Sequence, residues 1–435
     1  MTSTTQPRDN STVVPSSDLR ELIPALHLLR ASGLAIDPRK MLLGGLALVL
    51  LLVGDLLFGY LPFAQDSTSV QSITQSQPTV AGTLLGCCGF VPKPEIREWI
   101  SWEATAFSLL TPIRSVVEPA RASFEVEASW PKLAFAWTQL LWALVVWSLV
   151  GGALCRMNAL QFATKKRIGV GAALKFSRRQ LLGYLVAPFL PLSAILILKG
   201  FNWLLGCLAS LVPSVGFVVL GIGWVVVLFS GFLMAMLTLG IAIGWPLMIA
   251  AISTEDSDGF DGLSRAFGYL IDRPWQAGLY VVSSLPVFAV SRIFVVILII
   301  LTISLGAAAV EQGAGFHDSA SVSHVEYSFG NRMGLRAAVV ADRLNALLTL
   351  DRSFSWPGNL ANNALVVWTV IPCLLCFGFG PSFFWSATTI SYFLLRQSDD
   401  GTPLDSVVDW PEKTDSDQTA AAGGVLEEPA PDSES

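Results

Sequence analysis

Apolar residues along this chain form six long runs, separated by segments rich in charged residues, glycine and serine. Each run provides the roughly 20 apolar residues that a helix needs to cross a hydrocarbon core of about 30 Å. The pattern predicts an all-α, polytopic transmembrane bundle of about six spans, with helices bent by glycine and proline and with interfacial amphipathic helices. The predicted spans are residues 41–62, 133–154, 181–212, 216–252, 279–310 and 361–395.

One polar segment interrupts the apolar pattern between the fourth and fifth runs. Asp258 can cap a helix and Asp261 follows three residues later, which is a variant of the capping box. Pro274 removes a backbone donor and ends the helix. Fourteen residues at about 1.5 Å each span only about 21 Å, which is too short to cross a membrane. The segment predicts a helix on the membrane surface, with an apolar face made of Phe260, Leu263, Phe267, Leu270 and Ile271.

These runs divide the chain into three parts. Residues 1–40 are predicted to be a cytoplasmic tail with a short interfacial helix around Leu19–Leu29. Residues 41–395 form the membrane domain, with outer loops at about 63–130 and 311–358, and its first span is predicted to be a retained anchor. Residues 396–435 are predicted to be an acidic, disordered cytoplasmic tail.

Composition supports a membrane class. Hydrophobic residues make up 53% of the chain and charged residues only 14%, whereas soluble domains average about 25% charged residues. The net charge of −6 argues against nucleic-acid binding.

Basic residues predict the orientation. Residues 156–179 contain seven lysines and arginines and no acidic residue, directly beside two spans. The positive-inside rule then predicts that the loop, the N-terminus and the C-terminus lie on the cytoplasmic side of the membrane. The same bases are predicted to contact anionic membrane lipids, and the residues concerned are Lys165, Lys166, Arg167, Lys175, Arg178 and Arg179.

Two segments resemble internal copies at an offset of 89 residues, 163–176 and 252–265. Each follows a span, contains a Gly/Ala-x-Leu sequence and leads through a tyrosine, Tyr184 or Tyr269, into the next span. One interpretation is a structural repeat, and the other is that any two inner linkers need similar patterning. The surrounding charges are opposite in sign, so the two copies could face each other and partly neutralise.

The sequence also shows a resemblance to known families. PLMIAAISTEDSDGFDGLSRAFGYLIDRPW (246–275), IDPRKM (36–41), LCRMNALQFA (154–163), PFLPL (188–192) and YFLLRQSDDGT (392–402) resemble uncharacterised multi-pass membrane proteins of planctomycete-like bacteria. More distantly, they resemble the membrane domain of some glycerophosphodiester phosphodiesterases. The resemblance implies a membrane fold without an activity, because the phosphodiesterase domain has no counterpart here. Its inner-loop motif comprises Glu255, Asp258, Asp261, Arg265, Arg273 and Trp275.

Two ionisable residues were identified inside predicted spans, Asp55 and Arg292. Charges within a membrane are costly and usually have a partner or mark a pathway. Both residues lie at a depth of about 20 Å from the inner end of their spans. We therefore predict an ion pair that joins the first and fifth spans, as a structural contact more readily than as a proton relay.

Catalytic groups are few. The three histidines lie outside the spans, and His317 and His324 lack a metal-ligand spacing. Cys373 and Cys376 are predicted to pack in an apolar run, and disulfide formation by Cys87 or Cys88 stays open. A stripe of hydroxyls on the last span could bond backbone carbonyls or line a polar conduit: Ser382, Ser386 and Thr389.

These observations predict a non-enzymatic protein without a cofactor. The predicted function is a membrane-embedded interaction or lipid-organising protein with membrane lipids as partners. The alternative is a transporter or channel component, because interrupted apolar runs and a weak repeat are typical of discontinuous helices.

Overall fold

The computed structural model describes residues 24–59, 61, 102–122, 129–211, 213–313 and 356–407. Within these residues every regular element is helical, which confirms the all-α class. A 3-10 turn, Pro24–Leu28, is followed by eleven α-helices: α1 (Leu29–Ala35), α2 (Pro38–Gly59), α3 (Trp102–Ala122), α4 (Trp130–Ala163), α5 (Val170–Arg179), α6 (Leu181–Leu211), α7 (Pro213–Ile222), α8 (Trp224–Glu255), α9 (Gly259–Asp272), α10 (Pro274–Gly313) and α11 (Trp356–Asp400).

Five of these helices are long and apolar enough to cross a membrane: α2, α4, α6, α8 and the Pro274–Thr302 part of α10. They coincide with the first five predicted spans. The sixth predicted span, residues 361–395, lies within α11, which is not among the five.

The start of the bundle differs from the prediction. Residues predicted as part of a cytoplasmic tail form the 3-10 turn and α1, whose side chains at Leu28, Ala31 and Ala35 are fully buried. Helix α1 packs against α10 and α11. The buried face is not the predicted one, because Leu29 of the predicted face is 56% exposed and Leu26 is only partly buried. The residues of the predicted face before Pro24 lie outside the described part of the chain.

Helix α11 forms the centre of the bundle and packs against α2, α3, α4, α8 and α10. The contact with α2 is close because Gly378 has no side chain, and a Cβ there would lie 1.9 Å from the Met41 carbonyl oxygen. Two turns after Gly378 on α11, the Trp385 ring contacts Trp147 of α4 and Trp245 of α8, with ring centroids 6.2 and 5.8 Å away. Small residues and aromatic rings thus hold α11 between its neighbours.

Helices α6 and α8 form an antiparallel pair connected by α7. The fourth predicted span began at residue 216, whereas α8 begins at Trp224, after a turn at Gly223. On the facing sides of α6 and α8, Ser230 donates a hydrogen bond to the Asn202 side-chain oxygen at 2.9 Å.

The short helices α5 and α9 occupy matching places in the order of elements. Each lies between two long helices, α4 and α6 in one case and α8 and α10 in the other. The predicted tyrosines are not equivalent, because Tyr184 lies in α6 and Tyr269 in α9. The order of elements thus repeats, and a common origin of the two copies stays a prediction.

Candidate functional site

Charged side chains concentrate where α5 and α9 meet the last residues of α4, α8 and α11. We call this region the charged end. Its central residue is Glu255, the last residue of α8, whose carboxylate accepts a hydrogen bond from the Tyr392 hydroxyl at 2.6 Å. The same carboxylate forms ion pairs with Arg265 of α9 at 2.7 Å and Arg396 of α11 at 3.2 Å. One acidic side chain therefore joins three helices.

The next residue, Asp256, connects the charged end to α5. It adopts a left-handed conformation, with φ of 55°, and ends α8. Its carboxylate accepts hydrogen bonds from Arg179 at 2.6 Å and from the Gln180 amide at 2.5 Å. The acidic and basic copies thus touch and partly neutralise, as the charge pattern predicted. Arg179 is consequently engaged by protein, whereas the prediction turned it towards lipid.

Helix α9 begins as predicted. The Asp258 carboxylate accepts a hydrogen bond from the Asp261 backbone N–H at 2.9 Å, and Asp261 pairs with Arg265 one turn later. The side chain of Asp258 therefore satisfies one of the donors that a helix start leaves open.

The face that α9 directs at the protein was not predicted. It consists of Gly259, Gly262, Ala266 and Tyr269, which are all buried, while Phe260 is exposed. A Cβ on Gly259 would lie 2.5 Å from the Gly183 carbonyl oxygen of α6. Close backbone approach thus decides how α9 is oriented, and the spacing of small residues is the signal that could have indicated it.

The end of α11 is attached to α9 and α10. Tyr269 donates a hydrogen bond to Asp400 at 2.5 Å, and Arg273 pairs with Asp399 at 3.2 Å. Burial raises the pKa of the Tyr269 phenol, and the bond to Asp400 raises it further. Tyr269 therefore stays protonated and acts as a donor at neutral pH.

Beyond α11 the chain folds back on itself. The Arg396 side chain is buried, and its second terminal nitrogen donates to the Ser406 carbonyl oxygen at 2.6 Å and to the Ser406 hydroxyl at 2.7 Å. Arg396 thus holds both Glu255 and the segment leading into the acidic tail. Although YFLLRQSDDGT was recognised as a motif, its role at this contact was not predicted.

The predicted lipid-contact residues lie on the loop before α5 and on α5 itself. Helix α5 docks on α4 through Phe176 and through Ser177, whose hydroxyl donates to the Ser148 and Leu149 carbonyl oxygens at 2.8 and 2.7 Å. All six predicted residues are exposed, but Arg179 pairs with Asp256. We call the other five the basic surface: Lys165, Lys166, Arg167, Lys175 and Arg178.

Two other bases are buried within the bundle near this end. Arg156 was grouped with the basic loop, but its guanidinium donates to the Ser253 carbonyl oxygen at 3.1 Å and lies 4.5 Å from the Phe176 ring centroid. Lys40 was placed outside the first span, yet it is buried in the first turn of α2. Its ammonium donates to Asn158 and Gln161 at 2.7 Å each.

The start of α2 was predicted a few residues too late. Pro38 is its first residue, and the Asp37 carboxylate accepts a hydrogen bond from the Arg39 backbone N–H at 3.1 Å. An Asp-Pro pair is a signal for a helix start and could have placed Lys40 in the span. Lys199 was also overlooked as an ionisable residue within a span, although it lies inside the predicted span 181–212 and within α6.

The predicted ion pair between Asp55 and Arg292 is wrong for the described side chains. The Asp55 carboxylate instead accepts a hydrogen bond from the Gln139 amide of α4 at 3.1 Å. Arg292 is buried on α10. Helix α11 packs against both α2 and α10, so similar depth did not imply contact.

The predicted hydroxyl stripe on α11 is fully buried. Ser382 donates to the Ala35 carbonyl oxygen at 3.0 Å, Ser386 to the Ser382 carbonyl oxygen at 2.8 Å and Thr389 to the Trp385 carbonyl oxygen at 2.7 Å. These hydroxyls therefore satisfy backbone acceptors, which agrees with the first of the two interpretations.

The remaining predicted positions divide between described and undescribed parts. Cys376 is buried in the core. Cys87, Cys88, His317, His324 and the side chain of Cys373 lie outside the described residues. Among the residues that are described, no group of three or more His, Cys, Asp or Glu side chains could hold a metal ion.

The inner-loop motif therefore has a structural assignment. Glu255, Arg265 and Arg273 form ion pairs, Asp258 and Asp261 start α9, and Trp275 is exposed beside them. No family model, curated protein or solved structure matches the chain. The resemblance to the planctomycete-like family stays a prediction.

Proposed function

We propose that this chain is a non-enzymatic, lipid-organising protein of a bacterial inner membrane, which gathers anionic lipid at the basic surface. The charged end is then cytoplasmic, with the N- and C-terminal segments on the same side. The function needs no cofactor, because it depends on charge attraction between side chains and lipid headgroups.

One observation carries the proposal: the basic surface keeps its charge after the protein has folded. Lys165, Arg167, Lys175 and Arg178 are exposed, and within the described residues none of them forms an ion pair. Helix α5 is docked beside the membrane-crossing helices α4 and α6. A base near an anionic membrane surface contributes about 1 kcal/mol to lipid attraction.

Helix α9 differs from α5 because its basic side chains are paired with acidic ones. Its bases Arg265 and Arg273 pair with Glu255 and Asp399, and the surrounding segment has more acidic than basic residues. Attraction of anionic lipid is therefore expected at α5 and not at α9, although both are short helices at the same end of the bundle.

The test removes charge from α5 without disturbing its packing. Lys175→Gln with Arg178→Gln should reduce the retention of phosphatidylglycerol in nanodiscs by about tenfold, since two exposed bases contribute about 2 kcal/mol before salt screening. Native mass spectrometry measures the retained lipid. The matched control removes the same charge far from the charged end, as Arg121→Gln with Lys132→Gln, and should retain lipid like the unmodified protein.

Equal retention by the two double variants would overturn the proposed lipid role. Orientation is tested separately with topology reporters. Reporters fused at residues 170, 260 and 420 should remain cytoplasmic, and those at 75 and 325 should be translocated. A translocated reporter at residue 170 would refute the proposed orientation while leaving the lipid test intact.

A further inference from the structure

The residues after the last described position carry a strong negative charge. Residues 408–435 contain eight aspartates and glutamates and one lysine, a net charge of −7. Residues 165–179 contain six lysines and arginines and no acidic residue. These two segments have the largest opposite charges at the charged end, because the ion pairs around Glu255 and Asp399 already balance the rest.

The structure brings the beginnings of both segments together. Arg396, which holds Ser406 just before the acidic segment, pairs with Glu255. Arg179, which ends α5, pairs with Asp256. Glu255 and Asp256 are consecutive residues, so Ser406, two residues before the acidic segment, lies at the same end of the bundle as the basic surface.

The acidic segment and the basic surface belong to the same chain, and this attachment favours contact between them. Twenty-eight residues reach up to about 90 Å when extended, far more than the crossing from one helix end to its neighbour requires. A segment attached at this distance is present at an effective concentration on the order of millimolar. Opposite charge and proximity therefore favour contact within one molecule over contact between molecules.

We infer that the acidic segment, residues 408–435, docks on the basic surface and competes there with anionic lipid headgroups. The competition rests on the proposed lipid function, whereas the docking does not. The segment occupies the basic surface when anionic lipid is scarce, and lipid displaces it when anionic lipid is abundant. Lipid binding thus becomes sensitive to the lipid composition of the membrane.

The docking is tested on the full chain in nanodiscs of phosphatidylcholine, which carry no net charge. Carbodiimide joins lysine to carboxylate only where the two are in direct contact. Cross-links are expected from Lys165, Lys166 or Lys175 to acidic residues of 408–435, and none from the control Lys132. About 0.5 M salt should suppress them, because it shortens the Debye length to about 4 Å.

The competition is tested by two further measurements. Phosphatidylglycerol added to the nanodiscs should lower the cross-link yield. Replacing the eight acidic residues with Asn and Gln should raise phosphatidylglycerol retention by about fivefold, since several exposed ion pairs of modest strength are lost together.

The outcomes separate the two ideas. Absent cross-links, or equal yields at Lys132, would overturn the docking even where the α5 variants lose lipid as proposed. Cross-links that persist unchanged in phosphatidylglycerol would overturn the competition. Where the α5 variants also retain lipid normally, the proposed lipid function fails and the docking alone stands.

Discussion

The two parts of α8 have similar apolar sequences and opposite surroundings. In residues 224–243 most side chains are exposed, and Phe229 is 68% accessible. In residues 244–255 nearly all side chains are buried, and Ile249 is 0% accessible. Helix α8 packs against α4, α6, α9 and α11. In the second part, Trp245 and Glu255 contact α11, and Ser253 contacts α4 and α6.

The comparison shows that hydropathy does not indicate what an apolar helix faces in a membrane protein. Lipid accepts an exposed phenylalanine as readily as a protein core does, because both are apolar. Enclosure instead follows where small residues permit close approach. Ser253 lies 3.3 Å from the Gly152 carbonyl oxygen, and a Cβ on Gly262 would lie 2.5 Å from the Ile252 side chain.

The largest expected effect contrasts two isoleucines of α8. Ile249→Ala removes a fully buried side chain and should destabilise the protein by about 2–5 kcal/mol, because a cavity remains. Ile243→Ala, at a partly lipid-accessible position, should have a much smaller effect. Unfolding in mixed micelles with a denaturing detergent measures the difference, and equal losses would contradict the comparison.

A second prediction concerns Glu255, the charged residue at the end of the enclosed part of α8. Glu255→Gln removes the partner of Arg396, whose side chain is only 5% exposed. The expected loss is about 1.5–3 kcal/mol, typical of a hydrogen bond to a charged group. Asp272→Asn at an exposed position provides the control, and thermal unfolding compares the two. Similar melting temperatures would show that Glu255 does not join the helices energetically.

A third prediction compares two glycines of the first part, of which only Gly240, near the second part, is packed against α9. A Cβ on Gly240 would lie 2.5 Å from the Phe267 ring of α9, whereas a Cβ on Gly231 would meet open space. Gly240→Val should cost about 1–3 kcal/mol through overpacking. Gly231→Ala should be neutral or stabilising by up to about 1 kcal/mol, because alanine favours helix. Should both substitutions be neutral in the same unfolding assay, the close packing of α9 on Gly240 would be contradicted.

The smallest expected effect concerns the contact between the two copies. The Arg179 and Asp256 side chains are 43% and 23% exposed, so Arg179→Gln should cost at most about 1 kcal/mol and less at high salt. Lys175→Gln provides a matched control on the same helix. A loss well above this range would mean that the contact is more important for folding than its exposure indicates.

Local patterns in the sequence were sufficient to predict several features of the structure. Five of the six predicted apolar spans are helices able to cross a membrane, and Asp258, Asp261 and Pro274 predicted the bounds of α9. The opposite charges of the two copies predicted that they meet, as Arg179 and Asp256 do. Each of these features depends on neighbouring residues or on net charge, which a sequence displays directly.

Contacts between residues far apart in the sequence could not be predicted from such local patterns. Equal depth suggested Asp55 with Arg292, but Asp55 contacts Gln139. The buried positions of Lys40 and Arg156 depend on acceptors far away in the sequence, at Asn158 and Ser253.

The sequence by itself determined the helical class, the apolar lengths and the charge of the basic surface, because these follow from residue type and spacing. Only the tertiary structure decided which part of α8 is enclosed, that Glu255 joins three helices and that Arg396 holds Ser406. The physical reason is that lipid and protein interior are both apolar. Hydrophobicity therefore brings helices into the membrane without choosing their partners, and close packing at small residues and ion pairs across helices make that choice.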